Sequence, residues 1–159
     1  MAELFKIGTV DELTIANERN RAMSLLREIL PEASIFEVGS TAVKGLIGKQ
    51  DLDFLVRVPK SEFETTRRIL DQSLERNLNQ MSTEIYQGYL VDSQHDVAVQ
   101  LTIEAGPHDT FLEFMELLKA DKKLREEYNE LKREFDGQPM DVYRTAKRDF
   151  IERSLAAGN

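Results

Sequence analysis

The chain has 159 residues, 41% apolar and 31% charged, with no cysteine and a formal net charge of −8. That length fits a single domain spanning 1–159, able to bury roughly 70% of its unfolded surface without staples. Without cysteine, disulfides, thiolate catalysis and Cys-based zinc sites are excluded, and the acidic balance disfavours duplex nucleic acid or an anionic membrane as partner. A small phosphorylated ligand stays open, because it needs only local positive charge or a bound cation.

The N-terminal Met1-Ala2-Glu3-Leu4-Phe5 lacks the basic flank and apolar run of a secretory signal. No apolar run reaches the ~18 residues of a membrane helix, so a cytoplasmic protein is expected. Thr9-Val10-Asp11-Glu12 has the form of a capping box, and Ala22, Leu25, Leu26 and Ile29 then recur at helical spacing until Pro31. Ser34 to Val38 and Leu52 to Val58 read as strands, the second ended by Pro59. Ser61-Glu62-Phe63-Glu64 is a second capping box, opening a helix with Phe63, Leu70, Leu74 and Leu78 inward.

Residues 83–91 and 95–104 read as an antiparallel pair turned through Asp92-Ser93-Gln94. In the second, Val97, Val99, Leu101 and Ile103 alternate with Asp96, Ala98, Gln100, Thr102 and Glu104, giving one core face and one polar face. From Asp109 onward the pattern is helical. Leu124, Tyr128, Leu131 and Phe135 form a core-facing stripe, and Pro139 opens a last helix with Val142, Tyr143, Ala146, Phe150 and Ile151 on its apolar side. The sum is an α/β (α+β) fold with a mixed sheet of about four or five strands packed by helices.

The chemistry concentrates between Gly39 and Asp53. Three of the eight glycines fall at residues 39–48, just after a strand. Gly39 lets backbone approach a ligand, and Ser40 adds a hydroxyl beside free amides suited to phosphate oxygens. Asp51 and Asp53 flank one residue at a strand start, so both carboxylates project from one face. Two adjacent carboxylates repel, and a divalent cation relieves them. Mg²⁺, or Mn²⁺ in its place, takes hard oxygen ligands and leaves positions open for phosphates. An isolated Asp-x-Asp is ordinarily a solvated strand end and a lone Gly-Ser a turn. Their coupling, with about ten residues between, has the layout of a nucleotidyltransferase site. Other motifs fail. A Walker A loop ending at Gly48-Lys49 would have Val43 in place of its first glycine and Gln50 in place of Ser/Thr. His95 and His108 read as surface residues.

Val38-Gly39-Ser40-Thr41-Ala42-Val43-x-Gly45-Leu46-x-x-Lys49, followed by the acidic strand, resembles the GrpB (UPF0157) family, assigned to the DNA polymerase beta-like nucleotidyltransferase fold. The likeness continues through Tyr128-Asn129-Glu130-Leu131-Lys132 and the segment from Tyr143 to Ile151, covering roughly residues 30–155. Family members usually carry Pro where this chain has Lys44, a single Asp matching Asp53, and often a His-x-His where this chain has Gln100-Leu101-Thr102. The wider fold supplies a third carboxylate from the later strand, for which Asp96 is the candidate, with Glu104 behind it.

On the enzyme reading, Asp51, Asp53 and Asp96 are the expected catalytic residues, the first two holding the metal. The same reading takes Gly39, Ser40, Thr41, Lys49, Lys132 and Lys147 as nucleotide-binding residues, with the helical lysines neutralising triphosphate charge. The expected reaction transfers a nucleoside monophosphate from a nucleoside triphosphate to an unknown acceptor. The alternatives are a non-catalytic nucleotide-binding module of the same fold and a plain interaction domain.

Overall fold

The computed structural model describes residues 3–9 and 11–158. Its elements are α1 (Glu12–Ile29), β1 (Ser34–Val38), β2 (Leu52–Val58), α2 (Phe63–Asp71), β3 (Glu75–Arg76), β4 (Tyr86–Leu90), β5 (Val97–Ile103), α3 (Asp109–Ala120), α4 (Lys122–Phe135) and α5 (Met140–Gly158). Met1 and Ala2 of the segment read for export, and Val10 of the first capping box, lie outside the described residues. The α1 cap is Asp11 rather than Thr9, its carboxylate accepting from the Thr14 amide at 3.3 Å.

The second capping box does not form. A 3-10 turn, Lys60–Glu62, runs directly into α2, so no side chain caps it. Helix α2 then stops at Asp71, which corrects the expected inward stripe. Phe63 and Leu70 are buried, but Leu78 lies past β3 and is 90% exposed.

By their contacts the residues form two compact units. One comprises Val10–Val38 and Asp51–Asp109, and the other Met1–Thr9, Gly39–Gln50 and Thr110–Asn159. The first is built on a five-stranded sheet of order β1-β2-β5-β4-β3. Strands β2 and β5 are parallel and the other neighbours antiparallel, which makes the sheet mixed as expected. The register pairs Leu52 with Val97 and Val58 with Ile103. Alternation sends Leu52, Phe54, Val56 and Val58, with Val97, Val99, Leu101 and Ile103, onto one face. There they pack with Ile15, Ala22 and Leu26 of α1 and Phe63 and Leu70 of α2. Each such side chain, fully buried, contributes roughly 1.5–3 kcal/mol.

The second unit is helical. Tyr128 and Phe150 stack at 5.2 Å between centroids, with Phe114 edge-on to both. Phe5 stacks on Tyr143 at 3.7 Å. The N-terminal segment is tied to the α4–α5 turn by backbone bonds, Phe5 N to Gln138 O at 2.8 Å and Gly137 N to Phe5 O at 2.7 Å. Of the stripe expected on α4 only Tyr128 is fully buried, while Val142 of α5 is 45% exposed.

Candidate functional site

In the sheet unit the acidic pair stands at the head of β2. Asp53 lies opposite Val38 of β1 and Ala98 of β5. The Asp53 carboxylate therefore belongs to the face away from α1 and α2, and Asp51 lies just before the strand. Asp51 follows Gln50, whose φ of 66° is a left-handed conformation uncommon without glycine. The Leu52 amide donates to the Asp96 carbonyl at 2.8 Å, so Asp96 enters β5 level with the start of β2. Its side chain is exposed. Among the described residues no three His, Asp or Glu side chains are grouped to hold a metal ion. Glu104 is not a substitute, because its amide bonds Val58 O at the opposite end of the paired strands.

Further along that face, Arg57 donates two bonds of 2.7 Å to Asp109, whose carboxylate also accepts from the Ala105 amide at 2.8 Å. The guanidinium, and then that amide, hold the Asp109 carboxyl below its ordinary range. Tyr86 of β4 donates to Gln80 Oε1 at 3.0 Å, and its ring lies 4.7 Å from that of His108. Burial, and then the charge of Asp53, push the Tyr86 phenol up to about 12. Burial also lowers His108, against a smaller opposing effect of Asp109. His108 is thus half-buried against an aromatic ring, not the surface residue expected from its sequence context. Only its partner, distant in sequence, could have revealed that.

The glycine-rich segment belongs to the helical unit. Gly39 has φ 85° and ψ −172°, a region essentially closed to residues with a Cβ. Its conformational freedom is therefore required by the turn itself, before any ligand is considered. Ser40 opens a single 3-10 turn, Ser40–Ala42. The loop then returns so that a Cβ added at Gly48 would meet Ser40 Oγ at 2.5 Å and Lys132 Nζ at 3.4 Å. A hydroxyl and an ammonium from distant positions thus converge on the bare Cα of Gly48.

Lys132 is 3% exposed. Its ammonium donates to Ile47 O at 2.5 Å and lies 4.3 Å from the Tyr128 ring centroid. Lys147 is half-buried, its ammonium 5.5 Å from the Phe111 ring centroid. Lys49 is exposed and pairs with Glu3 at 3.2 Å, and Thr41 is half-buried. Asn129 is not among the residues that the sequence singles out. It is buried beside Lys132 and bonds the same loop, donating to Gly45 O at 2.8 Å and accepting from Ile47 N at 3.0 Å. An asparagine one position from an inward tyrosine, in the middle of a helix, was the available signal.

A family model described as GrpB protein matches residues 13–157, and the chain belongs to that family. It is 32% identical over 131 residues to a UPF0157 protein of Vibrio cholerae, covering 80% of this chain and 68% of that one. The crystal structure of the conserved protein GrpB from Enterococcus faecalis superposes with a TM-score of 0.71 at 16% identity, over 95% of this chain and 98% of that one. Cid1, an RNA terminal uridylyl transferase, matches at 0.53 and 14% identity, over 80% of this chain and 39% of Cid1. A Cid1 mutant bound to MgATP matches at 0.52 and 14% identity, over 80% of this chain and 42% of that one. The fold is therefore nucleotidyltransferase-like.

Proposed function

Because the chain is a GrpB protein on a nucleotidyltransferase-like fold, we propose that it binds a nucleoside triphosphate with Mg²⁺ or Mn²⁺ and transfers the nucleoside monophosphate to an acceptor. The observation that carries this reading is the position of Asp53 at the head of β2, on the face away from α1 and α2, with Asp51 two residues before it in the chain. The fold's likeness to a uridylyl transferase, and to a relative bound to MgATP, supports it. Two carboxylates fit a hard divalent cation only in part, so the nucleotide's phosphates must complete the shell. Such an ion, when bound, would activate an acceptor hydroxyl and offset charge on departing pyrophosphate. On the sheet unit Asp51 and Asp53 hold the cation; on the helical unit, taken by itself, Ser40 donates to phosphate oxygens and Lys132 adds positive charge. Lys147 and Lys49 serve the outer phosphates, and Gly39 and Thr41 shape the turn that presents Ser40.

A thermal-shift series with each of four ribonucleoside triphosphates, with and without Mg²⁺, tests the binding step. The expected result is a rise in melting temperature that needs the metal and vanishes in Asp53→Asn. Equal shifts with and without metal would overturn it. One observation favours a second reading, a nucleotide-binding module without transfer activity: Asp96 joins no three-carboxylate group among the described residues. Metal-dependent binding without pyrophosphate release, for any acceptor offered, would select that reading.

A further inference from the structure

The fully buried positions of α4 are Tyr128, Asn129 and Lys132, at 4%, 7% and 3% exposure. These stand at i, i+1 and i+4 and so share one helical face. Leu124, Leu131 and Phe135 are only half-buried. A helix that needed only to dock would put those leucines inward. Burying an amide and an ammonium is costly unless each finds partners, so the partners indicate what the face is for.

The Asn129 carboxamide and the Lys132 ammonium both bond one loop. The Asn129 carboxamide bridges Gly45 O and Ile47 N, as a neighbouring strand would. Lys132 takes the remaining polar group of the same residue, Ile47 O. Ile47 is thereby fixed on both its donor and its acceptor by one helix. The next residue is Gly48, whose carbonyl accepts from Gly8 N at 2.8 Å. Gly48 stands against Ser40 Oγ so closely that a methyl group there would collide. A displacement of Ile47 is therefore passed through Gly48 to the Ser40 hydroxyl. Misplacement of a binding group by about 1 Å is enough to cost much of its effect.

We propose that Asn129 is a positioning residue for nucleotide binding. It touches no ligand, but by holding Gly45 and Ile47 it sets where Ser40 and Lys132 meet the phosphates. This rests on the nucleotide-binding reading above. It also gives Lys132 two tasks, one bond to the loop and one charge to the ligand, which explains why a lysine is kept where its burial is costly.

Asn129→Asp tests the idea with almost no change of shape. As a carboxylate it still accepts from Ile47 N but opposes the Gly45 carbonyl. As a neutral acid it can donate to that carbonyl again, and both burial and the facing oxygen favour the neutral form as pH falls. ATP with Mg²⁺ is the probe, titrated calorimetrically into the full chain well below its melting temperature. The expected result is affinity about tenfold or more below wild type near pH 8, with the ratio closing towards one near pH 5.

Amide exchange over residues 45–48 should quicken in Asn129→Asp at the higher pH and return at the lower. Asn129→Leu should show the loss without the recovery. Wild-type affinity in Asn129→Asp near pH 8, or unchanged exchange in the loop, would overturn the inference while leaving nucleotide binding intact. A wild type that binds no ATP overturns the nucleotide reading instead, and does so before any variant is made.

Discussion

Strand β2 buries Leu52, Phe54, Val56 and Val58 at 2% exposure or less, whereas α4 reserves its fully buried positions for Tyr128, Asn129 and Lys132. Both elements are well packed, but the physics differs. For β2 the gain comes from apolar area removed from water, which is indifferent to orientation. For α4 it comes from directional bonds to Gly45 and Ile47, which are worth little net but fix atoms in place. An apolar strand supports a fold. A helix with polar groups inside supports a conformation of something else, here a loop.

The sharpest way to break this comparison is to empty the strand. Phe54→Ala should cost about 3–5 kcal/mol, because Phe54 is fully buried among apolar neighbours. Urea denaturation measures it, and a loss below about 1 kcal/mol would mean β2 is not the core it looks like. The matched change in α4 is Lys132→Met, which keeps most of the stem. The lost bond to Ile47 O and the relieved burial of charge oppose each other, so stability should change by less than about 2 kcal/mol. ATP affinity should nonetheless fall by about tenfold or more, since a charge-assisted contact is gone. A variant that melts far earlier but binds as before would make Lys132 structural and erase the contrast.

The sheet unit has a polar face of its own, and pH sharpens the comparison there. His108 has a folded pKa held below the ordinary 6.5 by burial. Between those two values the unfolded chain binds more protons, so stability is lost as pH falls from about 6.5 through the lower folded value. Asp109 and Asp71, also depressed, add a second loss below about pH 3.8, through their lower folded values. Melting temperatures from pH 7.5 to 5 should decline in wild type and flatten in His108→Gln. No difference between the two would mean that burying His108 carries no penalty.

The smallest expected effect separates the existence of α4 from its grip. Asp121 caps the helix, accepting from the Leu124 amide at 3.1 Å. Asp121→Ala should cost about 1 kcal/mol, with ATP affinity per folded molecule unaltered. A drop in affinity would show that the grip is lost by fraying alone.

Legibility follows the same divide. β1 and β2 were readable to the residue, because strand propensity, alternation and a closing proline agree there. The β4–β5 pair was readable, but its ends frayed into loop, since Thr83 and Asp96 carry no pattern that decides. Two-residue β3 was invisible. It is made only by pairing with β4, and nothing in Glu75-Arg76 signals it. The carboxylate pair and the Gly-Ser turn stood out because their chemistry is local. Asn129 did not, because its role lies in bonds to residues more than eighty positions away. The exposure of Leu78 escapes the sequence for the opposite reason: helical spacing continues past the point where α2 ends.

The helical unit is assembled from three separated stretches, Met1–Thr9, Gly39–Gln50 and Thr110–Asn159. This order matters on the ribosome. Every strand has been made by residue 103, while the loop at 39–50 still lacks α4, the helix that holds it. At roughly 5–20 residues per second, the stretch from 110 to 135 takes on the order of one to five seconds to emerge. Through that interval the sheet can form around Leu52 and Val99, with the glycine-rich loop left as a nascent bulge between two paired strands. Its polar grip arrives late: the bonds from Asn129 and Lys132 to Gly45 and Ile47 can form only after α4 has emerged.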